Sequence, residues 1–410
     1  MVVSGAVCKT VLREQIRWPW AQPLRFLRLL AALGSLMWLA LGLQWFRGIR
    51  EVPVLRNLRK PGVPKPNPSL SVVVAARNEQ RGVGEGVGSV LAQDYSGGLE
   101  VVAVDDRSTD RTGVILEELA TKYPGTLRVL SVGSLPAGWL GKTHALNVGA
   151  REAAGDWLLF TDADVRFSPV CLEQAVRYAI EEEWDHLTLV PDILCRGVLL
   201  RGFVAVFALV FEMTQRPWRA SDPRAREHVG VGAFNLIRAD TYESVGTHQA
   251  IRMRPDDDMK LAKLVKGHGF RQGVAYGTGL VAVEWHQTLR GAVRGLSKSM
   301  FPAVDYRIDA TVVGVVLLLL TNVVPVFGLF SRGAVRVLCG CGFLSTYVLY
   351  AYRSEHSRVD TPWWYATLHP FGVCVFVCAM LRSACTTIAS GGIEWRGTRY
   401  PLGSLKGNPP

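Results

Sequence analysis

The chain has 410 residues, of which 49% are hydrophobic and 20% are charged, and its mean hydropathy is +0.18. This length exceeds that of one small domain, and the hydropathy is high for a water-soluble enzyme, so we expect a soluble domain together with membrane-embedded segments. The formal net charge of +11 is consistent with three kinds of binding partner: a nucleic acid, an anionic membrane face or a phosphorylated substrate. The sequence has no nucleic-acid-binding motif, which favours the other two partners.

The first apolar block spans residues 26–46 and follows an N-terminal tail, residues 1–25. Its length predicts one transmembrane helix, and the lack of a small-x-small cleavage site argues against a signal peptide. Arg47, Arg50 and Arg56 follow it, so the positive-inside rule predicts that the next domain faces the cytoplasm. Residues 47–68 form a basic linker, which we expect to be stiff and extended because of its prolines Pro61, Pro64, Pro66 and Pro68.

Residues 69–308 alternate between β-rich and helical runs. We predict buried parallel strands over 70–76, 99–104 and 157–161, with helices over 112–123 and 143–154 between them. This alternation indicates an α/β sheet of the nucleotide-binding kind. Four glycines after the first strand do not match the dinucleotide-binding spacing and are interpreted as a flexible turn: Gly82, Gly84, Gly86 and Gly88.

Further apolar blocks at 310–330, 334–352 and 368–389 predict about three transmembrane helices between residues 310 and 389, before a C-terminal tail at 390–410. The stretch 198–211 is shorter and carries Arg201, so we predict a helix lying on the membrane surface. The eight cysteines form neither a disulfide framework nor a zinc-binding pattern, which indicates free thiols in a reducing compartment.

Acidic residues follow the predicted strand that ends at Val104, beginning with the pair Asp105 and Asp106. In open α/β sheets ligands bind beyond the carboxyl ends of strands, so this pair predicts a ligand site. Capping of the next helix by Thr109 or Asp110 is the alternative, but capping does not account for two adjacent carboxylates.

A second acidic element, Asp162-Ala163-Asp164, follows the strand at 157–161. Two carboxylates separated by one residue can hold Mg²⁺ or Mn²⁺ and leave coordination positions for diphosphate oxygens. An acidic turn is the alternative interpretation. His286 is a candidate third metal ligand, although ordinary packing beside Trp285 also explains it.

The third acidic cluster is Asp256-Asp257-Asp258, at the start of a predicted helix. Carboxylates packed together raise one another's pKa, which suits a general base. An exposed helix N-terminus enriched in acidic residues is the alternative.

Together the three clusters resemble, in order and spacing, the signature of the family 2 glycosyltransferases, which have the GT-A fold with a Rossmann-like mixed sheet. The resemblance covers about residues 69–301. It is carried by residues 73–79 (VVAARNE), Asp105 and Asp106, 141–147 (GKTHALN), 162–165 (DADV) and 257–261 (DDMKL).

The resemblance also implies site roles. The residues expected around a uridine-type nucleotide are Ala76, Asn78, Glu79, Asp105 and Asp106. Lys142 and Asn147 are expected close to the donor, and Asp162 and Asp164 are expected to bind the metal and the diphosphate. Asp258, next to Asp257, is expected to be the base that deprotonates the acceptor. The family's reaction inverts the anomeric carbon in a single displacement.

Within this family the layout is most similar to integral-membrane hexosyltransferases that glycosylate lipids, such as the ceramide glucosyltransferases and the hopene- and carotenoid-associated enzymes. The supporting segments are 230–235 (GVGAFN), 295–298 (GLSK) and 392–400 (GIEWRGTRY). The resemblance implies a nucleotide-sugar donor and a lipid acceptor. Anchoring at both ends also favours a lipid, because it raises the local concentration of a membrane-dissolved hydroxyl.

One departure concerns the Q/R-x-x-R-W motif of processive synthases and ceramide glucosyltransferases. Here Gln287 and Arg290 are present, but Gly291 stands where the tryptophan belongs. Arg290 and Arg294 lie one helical turn apart and either pair with the diphosphate or form a solvated or headgroup-facing surface. A polysaccharide synthase is thereby disfavoured but stays an alternative. A silent nucleotide-sugar-binding membrane protein is the other alternative, although it would not need a base.

Overall fold

The computed structural model describes residues 21–58, 67–356 and 362–406. Its strands are β1 (Leu70–Ala76), β2 (Leu99–Asp106), β3 (Leu127–Val132), β4 (Trp157–Asp162), β5 (Val165–Phe167), β6 (His186–Val190), β7 (Asp192–Ile193), β8 (Asn235–Arg238), β9 (Gln272–Tyr276), β10 (Val281–Val283), β11 (Gly392–Trp395) and β12 (Thr398–Pro401). Its α-helices are α1 (Ala21–Gly48), α2 (Val83–Leu91), α3 (Thr112–Lys122), α4 (Gly141–Glu152), α5 (Cys171–Glu181), α6 (Val198–Gln215), α7 (Ala239–Ser244), α8 (Asp257–Gly267), α9 (Leu289–Leu296), α10 (Met300–Ala303), α11 (Ile308–Asn322), α12 (Val324–Gly328), α13 (Ala334–His356), α14 (His369–Ala389) and α15 (Leu402–Lys406).

A seven-stranded mixed sheet lies at the centre of the soluble domain, in the order β3-β2-β1-β4-β8-β6-β9. Strand β1 pairs in parallel with β2 and β4, whereas β8 runs antiparallel to β4 and β6. The central strand is a continuous run of valines that are 0–1% exposed, Val72, Val73 and Val74, as expected where helices cover both faces of a parallel sheet. The three predicted strands and the α/β class are confirmed.

The strand register brings two of the acidic clusters to one edge of the sheet. Ala75 lies opposite Asp162 of β4, and Ala76 lies opposite Asp105 of β2. Because these are neighbouring parallel strands, their carboxyl ends open into the same crevice. The crevice is the place where a ligand of this sheet is expected.

The helices predicted over 112–123 and 143–154 are confirmed as α3 and α4, with ends that differ by one or two residues. The flexible turn predicted at the glycines is wrong, because Val83–Leu91 is helix α2. A Cβ at Gly86 would collide with the carbonyl oxygen of Ala163, and one at Gly82 would lie 2.7 Å from the Cβ of Asp164. The glycines therefore let α2 approach the acidic turn after β4.

Among the described residues, five helical segments are long and apolar enough to cross a membrane: Leu24–Glu51, Val198–Arg219, Ile308–Gly328, Ala334–Ser354 and Trp363–Ala389. Four of them overlap the predicted spans, and the one at Ile308–Gly328 ends two residues before the predicted 310–330 does. The first C-terminal span is not one continuous helix, because it breaks at Val323 before Pro325. The cysteines among the described residues are free thiols, as the sequence indicates.

Helix α6 extends four residues beyond the predicted stretch of 198–211, past the charged residue Glu212. The Glu212 carboxylate is buried and fully partnered: Trp45 Nε1 donates at 2.9 Å, the Tyr276 hydroxyl at 2.7 Å, and the Arg353 guanidinium pairs at 3.2 Å. A buried charge with these partners does not end the helix. The cluster also joins strand β9 to helices α1, α6 and α13. The surface location of α6 in the membrane stays a prediction.

The described part of the predicted linker, residues 47–58 with 67 and 68, is not a free spacer. Short 3₁₀ turns occupy Ile49–Glu51 and Leu55–Asn57, and the backbone N–H of Tyr276 donates to the carbonyl of Pro53 at 2.8 Å. Ile49 and Leu55 are buried. This segment therefore packs along the edge of the sheet. Three of the linker prolines (61, 64 and 66) lie outside the described residues. Residues 1–20 of the N-terminal tail also lie outside them.

The segment predicted only as a C-terminal tail forms a β-hairpin, β11 and β12, followed by helix α15 over its described residues. Tyr400 and Leu405 are buried in a cluster with Leu140, which immediately precedes α4. The end of the chain therefore packs against the soluble domain beside the crevice. Residues 407–410 lie outside the described part.

Two of the three glycines in α2, Gly86 and Gly88, allow a matched test of the packing between this helix and the acidic turn. We expect Gly86→Ala to destabilise the protein by about 1–3 kcal/mol, because the new methyl group meets backbone atoms that cannot rotate away. Gly88→Ala is the control: no atom lies within 4 Å of its Cβ position, so alanine is expected to be neutral or to stabilise the helix by up to about 1 kcal/mol. Thermal unfolding in detergent measures both. Equal unfolding temperatures for the two variants would contradict the packing.

Candidate active site

The loop after β1 is held against the loop after β2. Asn78 adopts a left-handed conformation with φ of 54°, which asparagine tolerates better than most residues. Its side-chain oxygen accepts the N–H of Thr109 at 2.8 Å, and its own N–H donates to Ser108 Oγ at 3.0 Å. The N–H of Glu79 donates to Thr112 Oγ1 at 2.8 Å. These bonds bring Asn78 and Glu79 beside the first acidic pair.

The two adjacent aspartates of that pair differ in their surroundings. Asp106 is buried, and its carboxylate pairs with Arg107 at 2.7 Å and Arg77 at 3.4 Å. Asp105 is half-buried and accepts the N–H of Ser108 at 3.1 Å through one oxygen. The charge of Asp106 is therefore compensated inside the protein, whereas Asp105 is the more available carboxylate for a ligand. Ala76, which lies opposite Asp105, is buried at the end of β1.

Lys142, in the first turn of α4, links the second and third acidic clusters. Its ammonium lies 2.8 Å from Asp162 Oδ1 and 3.5 Å from Asp257 Oδ1. Burial opposes the charged form of Lys142, but Asp162, Asp257 and Asp258 outweigh burial and raise its pKa. The lysine therefore stays protonated and brings carboxylates from β4 and α8 into one site.

The three consecutive aspartates face different partners. Asp256 pairs with Arg254 at 3.0 Å in a separate ionic network. Asp257 is buried against Lys142, and burial raises its pKa to about 7, with Lys142 opposing the shift and Asp258 adding to it. Asp258 is half-buried. Of the three, Asp258 is the one that combines exposure to the crevice with proximity to Lys142.

The Asp258 carboxylate is fixed by two backbone donors. Gly232 N–H donates to Oδ2 at 2.7 Å, and Met259 N–H donates to Oδ1 at 2.8 Å. Burial raises the pKa of Asp258, and Lys142 partly offsets this effect. Each oxygen keeps a further lone pair, so the carboxylate can accept a proton from a ligand in a fixed direction.

The segment that contains Gly230 and Gly232 lies between the two acidic elements. The carbonyl of Gly232 accepts the N–H of Asp162 at 3.0 Å, and a Cβ on Gly232 would lie 2.8 Å from Asp162 Oδ2 and 3.3 Å from Lys142 Nζ. A Cβ on Gly230 would collide with the backbone of Asp258. In the sequence, only the family resemblance points to this segment. In the structure, its glycines let the backbone pass between the charged groups of Asp162, Lys142 and Asp258.

The acidic turn after β4 has the chemistry of a partial cation site. Asp164 is half-buried, and burial together with the charges of Asp162 and Glu79 raises its pKa to about 6. A divalent cation would relieve this accumulated negative charge. Among residues 21–58, 67–356 and 362–406, no three His, Cys, Asp or Glu side chains are grouped to hold a metal ion. Two carboxylates here thus fit a cation that takes its other ligands from a diphosphate and water.

Four other predicted site residues lie apart from this arrangement or face elsewhere. His286 packs beside Trp285, with ring centroids 4.9 Å apart, and belongs to no metal-binding group of the described residues. Arg290 and Arg294 are exposed on α9. Asn147 is buried on α4 and accepts a hydrogen bond from Thr247 Oγ1 at 3.4 Å. Ligand contacts by these four side chains stay predictions.

Comparisons with known proteins bear on the fold and on the class of enzyme. Residues 71–193 match the family model described as glycosyl transferase family 2. The chain contains a glycosyl transferase family 2 domain, and the protein is a glycosyltransferase.

A 4,4'-diaponeurosporenoate glycosyltransferase of Staphylococcus aureus (strain MRSA252) is 23% identical to this glycosyltransferase over 343 residues, covering 82% of this chain and 88% of that protein. The mannosyltransferase PcManGT from Pyrobaculum calidifontis, solved in complex with GDP-Man and Mn²⁺, aligns with a TM-score of 0.51 at 16% sequence identity. That alignment covers 89% of this chain and 99% of the mannosyltransferase. The GT-A fold expected from the resemblance is thereby confirmed.

Two cations beside the candidate site, Arg396 and Lys298, are not among the residues predicted from the sequence. Arg396 forms an ion pair with Glu79 and donates to the carbonyl of Arg77, although 317 residues separate it from Glu79. Lys298 lies with its Nζ 5.5 Å from the ring centroid of Trp395. Both lie in segments that carry the family resemblance, 295–298 and 392–400, but the resemblance assigns neither residue a role.

Replacing Lys142 by methionine tests its role in the carboxylate cluster. We expect lower glycosyltransferase activity and an acid limb of the pH–activity profile that moves to higher pH by about one unit or more. The ammonium lowers the pKa values of Asp257 and Asp258, so its loss raises both and leaves a larger protonated fraction at any given acidic pH. Lys122→Met, at an exposed lysine in the last turn of α3, is the control. An acid limb that stays in place in Lys142→Met would contradict this electrostatic role.

Proposed function

We propose that this membrane glycosyltransferase transfers a sugar from a nucleotide-sugar, a UDP-sugar, to a lipid or isoprenoid-type acceptor with inversion at the anomeric carbon. The observation that carries the proposal is the ion pairing of Lys142 with Asp162 and Asp257, which brings a candidate diphosphate-binding turn next to Asp258. Sugar transfer requires a donor-binding site and a base, whereas a silent binding protein requires only the donor-binding site. We further propose that the catalytic domain faces the cytoplasm, supported by Arg47, Arg50 and Arg56 after helix α1.

The proposed lipid acceptor is supported by the attachment of the sheet to apolar helices. The Glu212 cluster joins β9 to three of the candidate membrane helices, so the catalytic domain lies directly against the apolar part of the chain. This attachment favours an acceptor dissolved in the membrane over one in bulk water. The relative from Staphylococcus aureus is named for the acceptor 4,4'-diaponeurosporenoate, and a lipid-like acceptor is proposed here by analogy with that name.

The proposed reaction is one displacement at the anomeric carbon. The acceptor hydroxyl forms the new C–O bond as the bond between the sugar and the diphosphate breaks, and the hydroxyl proton moves to Asp258. Its raised pKa makes Asp258 a stronger base than an ordinary aspartate. Gly232 and Met259 hold the carboxylate in place. The nucleoside diphosphate leaves with the electrons of the broken bond, and no further reactant is needed.

We propose that Asp162 and Asp164 hold Mg²⁺ or Mn²⁺, which would neutralise charge on the leaving diphosphate. The raised pKa of Asp164 supports an unbalanced negative charge at this turn. The mannosyltransferase PcManGT is solved in complex with GDP-Man and Mn²⁺, so GDP-sugars belong in a donor screen beside UDP-sugars. Lys142 keeps Asp162 oriented toward the crevice.

Sugar transfer to an extractable lipid tests the proposal. The detergent-purified protein is incubated with radiolabelled UDP- or GDP-sugars, Mg²⁺ or Mn²⁺ and a crude lipid extract, and label in the organic phase is measured. We expect Asp258→Asn to lower transfer by about 10²–10⁴-fold while donor binding persists. Asp240→Asn is the control, because Asp240 pairs with Arg238 at the exposed surface. Transfer that survives Asp258→Asn would remove the base assignment.

Further arms of this assay separate the remaining claims. Chelation by EDTA is expected to stop transfer, and undiminished transfer would contradict the proposed metal. In sealed vesicles, a donor that cannot cross the membrane is expected to be used only where the cytoplasmic face is outside. Label in a water-soluble polymer would indicate a polysaccharide synthase. Donor binding without any release of nucleoside diphosphate would indicate a silent binding protein.

A further inference from the structure

The C-terminal hairpin ends in a turn that places an arginine in an unfavourable backbone conformation. Trp395 pairs with Thr398, so the turn consists of Arg396 and Gly397, with φ of 50° and 76°. Two-residue hairpin turns with positive φ at both positions strongly favour Asn-Gly or Asp-Gly. An arginine in a left-handed conformation is strained, because its Cβ crowds the following carbonyl oxygen. Such a residue at a turn that contacts the active site is a candidate for function.

The hairpin reaches the glycosyltransferase site from its nucleotide side. The Arg396 guanidinium donates to the carbonyl of Arg77 and pairs with Glu79, both in the segment that follows β1. The other end of the hairpin is anchored: the N–H of Gly141, the first residue of α4, donates to the Tyr400 hydroxyl at 3.3 Å. The turn is thus fixed between the end of β1 and the start of α4.

A second cation lies beside this turn. Lys298 packs its ammonium on the face of Trp395, the residue before Arg396. Burial lowers the pKa of Lys298, and the positive charge of Arg396 lowers it further, whereas Glu79 opposes the shift. Arg396 and Lys298 are therefore two neighbouring cations beside the acidic turn, where the charge of Arg396 also lowers the pKa of Asp164. A diphosphate bound with a cation at this turn would lie within reach of both.

The arginine of the incomplete Q-x-x-R-W motif is Arg290, and Arg294 lies one helical turn further on. Arg290 and Arg294 are exposed on α9, and neither forms an ion pair with a residue that the structure describes. Gly291 occupies the position where that motif has its tryptophan. Trp395 and Arg396 are the adjacent tryptophan and arginine that the fold brings to the site, from a segment about a hundred residues further along the chain.

We infer that Arg396, with Lys298 beside it, binds the diphosphate of the nucleotide-sugar donor, in place of the arginine of the incomplete motif. The inference rests on the proposed function. The guanidinium has five N–H donors, and its contacts with Arg77 and Glu79 leave some of them for phosphate oxygens. Its side chain is 39% exposed, so it is accessible to a ligand entering the crevice.

Calorimetric titration of the detergent-solubilised full chain tests this inference. UDP, GDP and the matching nucleosides are titrated in the presence of Mn²⁺ into the wild type, Arg396→Gln and Arg399→Gln. We expect Arg396→Gln to weaken nucleoside diphosphate binding by about 10–100-fold, the size of a lost charge-assisted contact, while nucleoside binding is unchanged. Arg399→Gln is the control, because Arg399 is an exposed hairpin residue that contacts only the carbonyl of Ser390 among its described polar partners. Arg396→Lys is expected to restore part of the affinity.

Each other outcome overturns the inference in a recognisable way. If Arg396→Gln binds UDP and GDP as Arg399→Gln does, Arg396 does not bind the diphosphate, and the proposed function still stands. If Arg396→Gln loses nucleoside and nucleoside diphosphate affinity equally, or unfolds at a lower temperature than Arg399→Gln, the arginine only supports the fold. If the wild type binds neither nucleoside diphosphate, the inference and the proposed function fail together.

Discussion

The arrangement of the active site depends on one ammonium group held among carboxylates. Asp162 and Asp257 come from segments almost a hundred residues apart, and without a cation between them their charges would repel each other in a partly buried crevice. Lys142 offsets that repulsion because helix α4 begins at the edge of the sheet where β4 ends. The positive charge of Lys142 allows several carboxylates to lie close together in the crevice, and Asp258 stays available as a base.

Close approach of backbone segments is the second requirement. Gly86 lets helix α2 contact the acidic turn, and Gly232 lets the segment before β8 pass between Asp162 and Lys142. A side chain at either position would push the carboxylates apart. Outside the crevice, the buried Glu212 cluster and the apolar side chains packed around it connect the sheet to the apolar helices.

The sequence was informative wherever a local pattern has one physical explanation. Runs such as Val72–Val74 predict buried parallel strands, and carboxylates directly after such strands predict a ligand crevice, so the centre of the fold and most of the acidic site followed from sequence. The sequence does not reveal that helix α6 continues past Glu212, because the partners of Glu212 lie on three other elements. Arg396 was missed for the same reason, since its partner Glu79 is 317 residues away and leaves no local signal.

The most direct test of the account is the anomeric configuration of the product. The glycolipid made from a donor of known configuration is purified, and the anomeric proton coupling is measured by nuclear magnetic resonance. A single displacement assisted by one base, Asp258, predicts a product with the configuration opposite to that of the donor. A product that retains the donor configuration would contradict the account, because retention requires a second displacement or a different attacking face.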